Sequence, residues 1–177
     1  MVSIGPYTQS LNFTHQFDLY PAKVAKPRPR NSLWGLLELN PEFSSFRDIV
    51  KISKMEGIFN DPQTDLTLFV PSNSYLNLPP GYLENMDLLT AKKLVSFATL
   101  NRQISLSLIT AEPVIQFITK LPANKLYVTT MNCMTTLQGN TRLLYGDIQV
   151  DNGVVHVIDR ILIPSRLSTA SYFAQTY

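Results

Sequence analysis

The sequence predicts an α+β fold with helices packed on a sheet, and two observations predict it. Segments with helical apolar spacing come first, around a single strand-like stretch, TDLTLFVP. Short β-rich segments separated by Gly and Asn turns come later, from KLYVTTM to VVHVIDRILI. That segregation indicates two layers rather than a purely helical or purely sheet protein. With 177 residues, 45% apolar and 16% charged, the chain suits one domain with its own core plus appendages.

Residues 1–30 read as an extended N-terminal arm. PAKVAKPRPR spaces prolines that cannot continue a helix or donate to a ladder, and its charges keep it solvated. Lys23, Lys26, Arg28 and Arg30 oppose only Asp18, a balance of 4 − 1 = +3, whereas the remaining 11 basic and 12 acidic residues give −1. The body therefore carries no nucleic-acid footprint, and no aromatic residues interleave with the four cations. Upstream, Leu11, Phe13, Phe17, Leu19 and Tyr20 recur at mixed spacings, which suits insertion into pockets of a protein partner.

The body starts near Asn31. SLWGLLELN reads as a short helix, and Asn40 then caps a second one with Pro41 in its first turn. Phe43, Phe46, Ile49 and Val50 share one face of that helix, and Gly57 suits its stop. TDLTLFVP, Thr64 to Pro71, is a strand. Thr90 can cap AKKLVSFATL, whose buried stripe is Ala91, Leu94, Val95 and Ala98. A further helix is expected within TAEPVIQFITK. KLYVTTM, CMTTLQG, TRLLYG, DIQV and VVHVIDRILI are strands, and residues 165–177 form a polar, aromatic tail without clear period.

Most chemistries fail on inventory. One cysteine excludes an internal disulfide, and Cys133 reads as a small core residue. Two histidines, His15 and His156, with one cysteine do not furnish a zinc site. There is no GxSxG elbow, phosphate loop or GxGxxG, so no cofactor, metal or catalytic residue is assigned. No run reaches membrane-spanning length. The first twenty residues lack the basic start and apolar stretch of a secretion signal, from which an intracellular or virion location is expected over secretion. NGVVHVIDRILIP places His156 and Asp159 three residues apart, on opposite faces of a strand. They cannot form a local dyad, and both faces are otherwise apolar, as on a central strand. Both side chains must then be hydrogen-bonded for structural reasons. A hydrolase using His156 is the rival, and it requires an exposed imidazole beside a nucleophile from elsewhere.

Two segments resemble the signatures of fasciclin-like domains. TLFVPSNSYL, Thr67 to Leu76, resembles the first: a strand, then Pro71, Ser72 and Asn73, then a short helix. NGVVHVIDRILIP, Asn152 to Pro164, resembles the second nearly position for position, about 80 residues on. The resemblance covers roughly Ser32 to Pro164 and implies a wedge-like sheet flanked by helices, with the two signatures on neighbouring central strands. Asn152-Gly153 would then turn into the strand with Gly153 at positive φ. His156 and Asp159 would tie that strand to the first signature, with Thr67, Ser72 and Asn73 as partners. Thr130-Met131-Asn132-Cys133 aligns with a Thr-Leu-Asn-Gly turn of relatives. Phe97-Ala98 stands where many adhesive members carry Tyr-His, and there is no RGD, which puts integrin binding in doubt. The family is implicated in adhesion and protein–protein interaction and also occurs in large DNA viruses. The expected function is a non-enzymatic interaction module, a subunit of a larger assembly such as a virus particle. It would dock through Phe13, Phe17, Tyr20, Lys23, Lys26, Arg28 and Arg30. A secreted or cell-surface adhesion protein is the alternative.

Overall fold

Ser32 begins the first helix because its hydroxyl accepts from the Gly35 N–H at 3.0 Å, which satisfies one donor of the first turn. The structure, a computed structural model, describes residues 31–165. The arm (1–30), with its docking residues Phe13 to Arg30, and the tail beyond Ser165 lie outside the described residues. Helix α1 (Leu33–Leu39) buries Leu33 and Leu37. Asn40 then caps a 3-10 turn over Pro41–Phe43 by accepting from Glu42 N–H. That turn runs into α2 (Ser44–Ser53), which buries Phe46, Ile49 and Val50 on one face. Its stop is Lys54 in the left-handed region at φ 56°, not Gly57, which lies inside α3 (Glu56–Phe59). A lysine tolerates that conformation at a strain cost because its N–H bonds back to Lys51 and Val50 carbonyls.

Strand β1 (Leu66–Pro71) is buried throughout, and a 3-10 turn over Asn73–Tyr75 follows it. Helix α4 (Leu88–Phe97) starts three residues earlier than a Thr90 cap requires. Asp87 is the cap and accepts from Thr90 N–H at 2.9 Å, so Thr90 is inside the first turn. The expected stripe of Ala91, Leu94, Val95 and Ala98 is buried, and α4 packs against α2. Then come β2 (Thr99–Leu100) and a one-turn α5 (Leu106–Ile109).

The helix expected in TAEPVIQFITK is instead β3 (Val114–Ile118). Its partner β4 (Lys125–Met131) dictates this, because pairing buries Phe117 against Leu126 while Val114, Gln116 and Ile118 face solvent. β4 turns tightly into β5 (Met134–Leu137) through Asn132 (φ 51°) and Cys133 (φ 62°), a two-residue turn of the primed kind. Cys133 is therefore exposed at a hairpin tip and is not a core residue. TRLLYG and DIQV form one strand, β6 (Thr141–Val150), broken in register near Tyr145. β7 (Gly153–Ile158) ends before Asp159, so the second signature is half strand and half loop.

The sheet is mixed and seven-stranded, in the order β2-β1-β7-β6-β5-β4-β3. β1 and β7 are parallel neighbours, with Thr67 opposite Val154 and Phe69 opposite His156, and every other pair is antiparallel. The two signatures thus lie side by side at the sheet centre. Phe43, Phe46, Phe59, Phe69 and Phe97, each at most 1% exposed, fill the core between sheet and helices.

Candidate functional site

The polar residues of the two signatures are the natural candidates for a site, and their burial decides what they can do. His156 is fully buried and packs its ring 5.5 Å from that of Phe69. Its Nδ1 accepts from the Asp147 backbone N–H at 3.2 Å, so the proton resides on Nε2, which donates to the Ile104 carbonyl at 2.7 Å. Burial pushes the imidazole pKa down, against a smaller upward pull from the Ile104 hydrogen bond and the Asp147 charge. A neutral ring with both nitrogens engaged has no lone pair left for a substrate proton.

Room for that ring comes from β6. A Cβ on Gly146 would overlap His156 Nδ1, and Asp147 beside it adopts φ 57° where the register shifts. The irregularity aims the Asp147 N–H at the ring and the Asp147 carboxylate at the Leu106 N–H, 2.8 Å away. Thr67 joins the same network from β1. Its Oγ1 accepts from Ile104 N–H at 2.8 Å and donates to the Arg102 carbonyl at 2.7 Å. His156 and Thr67 therefore share Ile104 as a partner without touching each other. The loop over residues 101–106 is fastened to β1, β6 and β7 at once.

Asn152 is a second hub. Only 1% exposed, its Oδ1 accepts from Leu33 N–H at 2.8 Å and its Nδ2 donates to the carbonyls of Phe59 (2.9 Å) and Asp61 (3.0 Å). One side chain thus joins the start of α1, the end of α3 and the turn into β1. Gly153 is not at positive φ. It lies in extended β7, and glycine is required because a Cβ would strike the Leu66 carbonyl and the Leu33 side chain.

The expected links from Asp159 and His156 to Thr67, Ser72 and Asn73 are not those the structure forms. Asp159, 4% exposed, reaches back to β6: Oδ1 accepts from Arg142 N–H at 2.9 Å and Oδ2 pairs with Arg142 Nε at 2.9 Å. Arg160 adds a second ion pair at 3.1 Å. Burial alone would raise this carboxyl, but the hydrogen bonds from Arg160 and Arg142 prevail and hold it below the ordinary carboxylate range. Ser72 donates to Glu42 instead, and that carboxylate also accepts from Ser74 N–H at 2.8 Å. Asn73 grips the start of α2, donating to Pro41 O and Ser44 Oγ and accepting from Ser45 N–H. Pro71 closes β1 and Pro164 is buried after the second signature. Gly146, Asp147 and Arg142 escaped the sequence reading. The signal available for the first two was a lone glycine inside a strand pattern, which marks irregular pairing.

Among the described residues no group of three His, Cys, Asp or Glu side chains could hold a metal, and no helix is long and apolar enough to cross a membrane. Outward, apolar side chains stand on the sheet among Gln116 and Lys125. Val114, Ile118, Tyr127, Met131 and Met134, between 49% and 77% exposed, share the solvent side of β3, β4 and β5.

Comparison with known proteins agrees with this geometry. The chain is 27% identical over 146 residues to the transforming growth factor-beta-induced protein ig-h3 of Oryctolagus cuniculus, covering 81% of this chain and 21% of that protein. It is 29% identical over 142 residues to periostin of Homo sapiens, covering 75% of this chain and 16% of that protein. The chain thus spans about a fifth of the length of these relatives. A solved FAS1 domain pair from the insect cell adhesion molecule fasciclin I shares the fold, with a TM-score of 0.62 and 19% identity over 76% of this chain and 51% of that one. The model of the fasciclin domain family matches residues 41–164, from the 3-10 turn that Asn73 grips to the proline closing the second signature, and the chain belongs to that family.

Proposed function

We propose that the chain is a non-enzymatic protein-interaction module of adhesive type. The observation that carries this reading is the full internal engagement of its signature residues. His156, Asp159, Asn152 and Thr67 are buried and hydrogen-bonded to the fold itself, so they have nothing to offer a substrate. The hydrolase alternative needs an exposed imidazole, and His156 is the reverse. Function then belongs to the surface, where an apolar sheet face is available. Adhesion is the setting the relatives favour, since the solved domain pair comes from a cell adhesion molecule. The narrower expectation, a subunit of a virus particle, draws on sequence features alone. In either setting we assign the arm, through Phe13, Phe17, Tyr20, Lys23, Lys26, Arg28 and Arg30, a docking role on another protein with acidic patches and shallow apolar pockets.

Cross-linking of the full chain in its native extract, followed by mass spectrometry, tests this reading. Intermolecular links to a different protein should concentrate on Lys23 and Lys26, and deletion of residues 1–30 should abolish them while leaving the melting temperature within a few degrees. Loss of the fold on deletion, or links confined to the chain itself, would refute the docking role.

A further inference from the structure

The outward side of β3, β4 and β5 is an apolar patch, and its charge decides what kind of surface can meet it. These strands hold one charged residue, Lys125, which stands beside Ile118 across the β3–β4 pair. Lys120 follows two residues beyond Ile118. The sign extends well past them. From Leu88 to Gly146 the chain has Lys92, Lys93, Arg102, Lys120, Lys125 and Arg142 against Glu112 alone, a balance of 6 − 1 = +5. From Asn31 to Asp87 it has three bases and eight acids, or 3 − 8 = −5. The body is divided into an acidic and a basic half.

The basic arm shares the sign of the patch, and a second copy of the same patch would bring only Glu112 to meet its cations. An acidic surface with apolar side chains of its own is required, and the acidic half of the fold has one. Glu42 accepts from Ser74 N–H at 2.8 Å, and Asn73 Nδ2 donates to Pro41 O at 2.9 Å. These bonds draw the end of α1 and the turn after β1 into one knob. Leu39, 80% exposed, and Tyr75, 55% exposed, stand there beside the carboxylates of Glu38 and Glu42.

We propose that this knob docks on the β3–β5 face of a second copy of the chain. Leu39 and Tyr75 meet Val114, Ile118 and Tyr127, with Glu38 and Glu42 turned toward Lys120 and Lys125. Apolar contact drives the association, and complementary charge fixes its orientation. The two surfaces differ, so the contact is heterologous. Each copy keeps one further knob or face to offer, and copies add head to tail into a ring or an open row. The contact lies on the flat of the sheet and leaves the edge as it is, with Thr119 bridged to Leu100 and Lys120 N–H on Thr99 O. The inference rests on the reading of the chain as an interaction module and is independent of the arm.

Sedimentation velocity of the full chain over a wide concentration range tests this contact. The average mass should rise with concentration and fall in part with added salt, since the charge pairs are exposed. Ile118→Asp sets a carboxylate against the acidic knob, and Leu39→Lys sets a cation against the basic face. Each should weaken association about tenfold or more. Both side chains are more than three-quarters exposed, so the melting temperature of the dilute protein should stay within a few degrees of wild type. Val114→Asp and Tyr75→Lys repeat the two blocks at a second position of each surface. A 1:1 mixture of the Ile118→Asp and Leu39→Lys chains should form a heterodimer and stop there, because the intact knob of the first fits the intact face of the second. A monomer at every concentration overturns the proposal, and so does a mixture of the blocked chains that stays monomeric. Association that survives either block refutes it as well, by placing the contact on the arm or on another face. The arm's own docking is read separately, by the cross-links of Lys23 and Lys26.

Discussion

Replacing Asn152 with alanine removes a side chain that serves three segments, and the structure sets the size of the loss. The Leu33 N–H and the Phe59 carbonyl, both in residues with no exposure, would lose Asn152 as a partner. The Asp61 carbonyl keeps its bonds from Thr64 N–H and Thr64 Oγ1, so it adds little. Two orphaned buried groups at about 1–3 kcal/mol each give a loss of roughly 2–6 kcal/mol, a large part of the roughly 5–15 kcal/mol that holds a domain together. Asn152→Asp keeps the acceptor for Leu33 but turns an oxygen toward two carbonyls, so it should also be strongly destabilising. Urea denaturation at one low protein concentration measures both, with exposed Asn101→Ala as the control expected within about 0.5 kcal/mol of wild type. If Asn152→Ala matched that control, the buried hub would not be contributing what its geometry implies, and the reasoning from orphaned partners would fail.

Asp159→Ala should cost roughly 1–3 kcal/mol by stripping the Arg142 N–H of its acceptor, read by the same denaturation series; a neutral result would refute the tie between β6 and the second signature. Acid should destabilise the fold in two stages. His156 is depressed below its ordinary 6.5, so its contribution is complete above that pH and is lost as pH falls through the lowered value. Asp159, depressed below 3.8, adds its own loss further down. Stability measured from neutral pH to pH 5 should therefore fall in the wild type and stay flatter in His156→Gln, and parallel profiles would contradict the neutral ring. Gly146→Ala should cost roughly 1–3 kcal/mol through its overlap with His156. Combining it with His156→Ala should cost less than the sum of the two single changes.

Helices whose apolar residues share one face were legible in the sequence, because α2 and α4 pack by the periodicity that betrays them. The parallel placement of the two signatures was legible only through family resemblance, since no local pattern reports a contact between residues 67 and 154. β3 was misread as part of a helix within TAEPVIQFITK. Its Val-Ile-Gln-Phe-Ile alternation, with Ile115 and Phe117 inward, is a strand pattern that needed β4 beside it to be decisive. Asn152 was legible as a turn residue but not as a hub, because its partners lie 88 or more residues away in sequence. Asp159 was legible as buried and bonded, and its partner Arg142, 17 residues away on the neighbouring strand, was not, because only the β6–β7 register brings them together. Pairings over such distances are fixed by tertiary packing, which single-residue preferences do not encode.

The position of β7 has a consequence for how the chain is born. The last of the described strands to be synthesised is inserted near the middle of the sheet, between β1 and β6. At roughly 5–20 residues per second, a ribosome takes about 4–17 s to travel from Pro71 to Ile158. Through that interval β1, wholly apolar apart from Thr67, has only the two residues of β2 to shelter one of its edges. The nascent protein thus carries an open seam until its final signature emerges, and the same thirteen residues that seal the native sheet time the end of its vulnerability to misassembly.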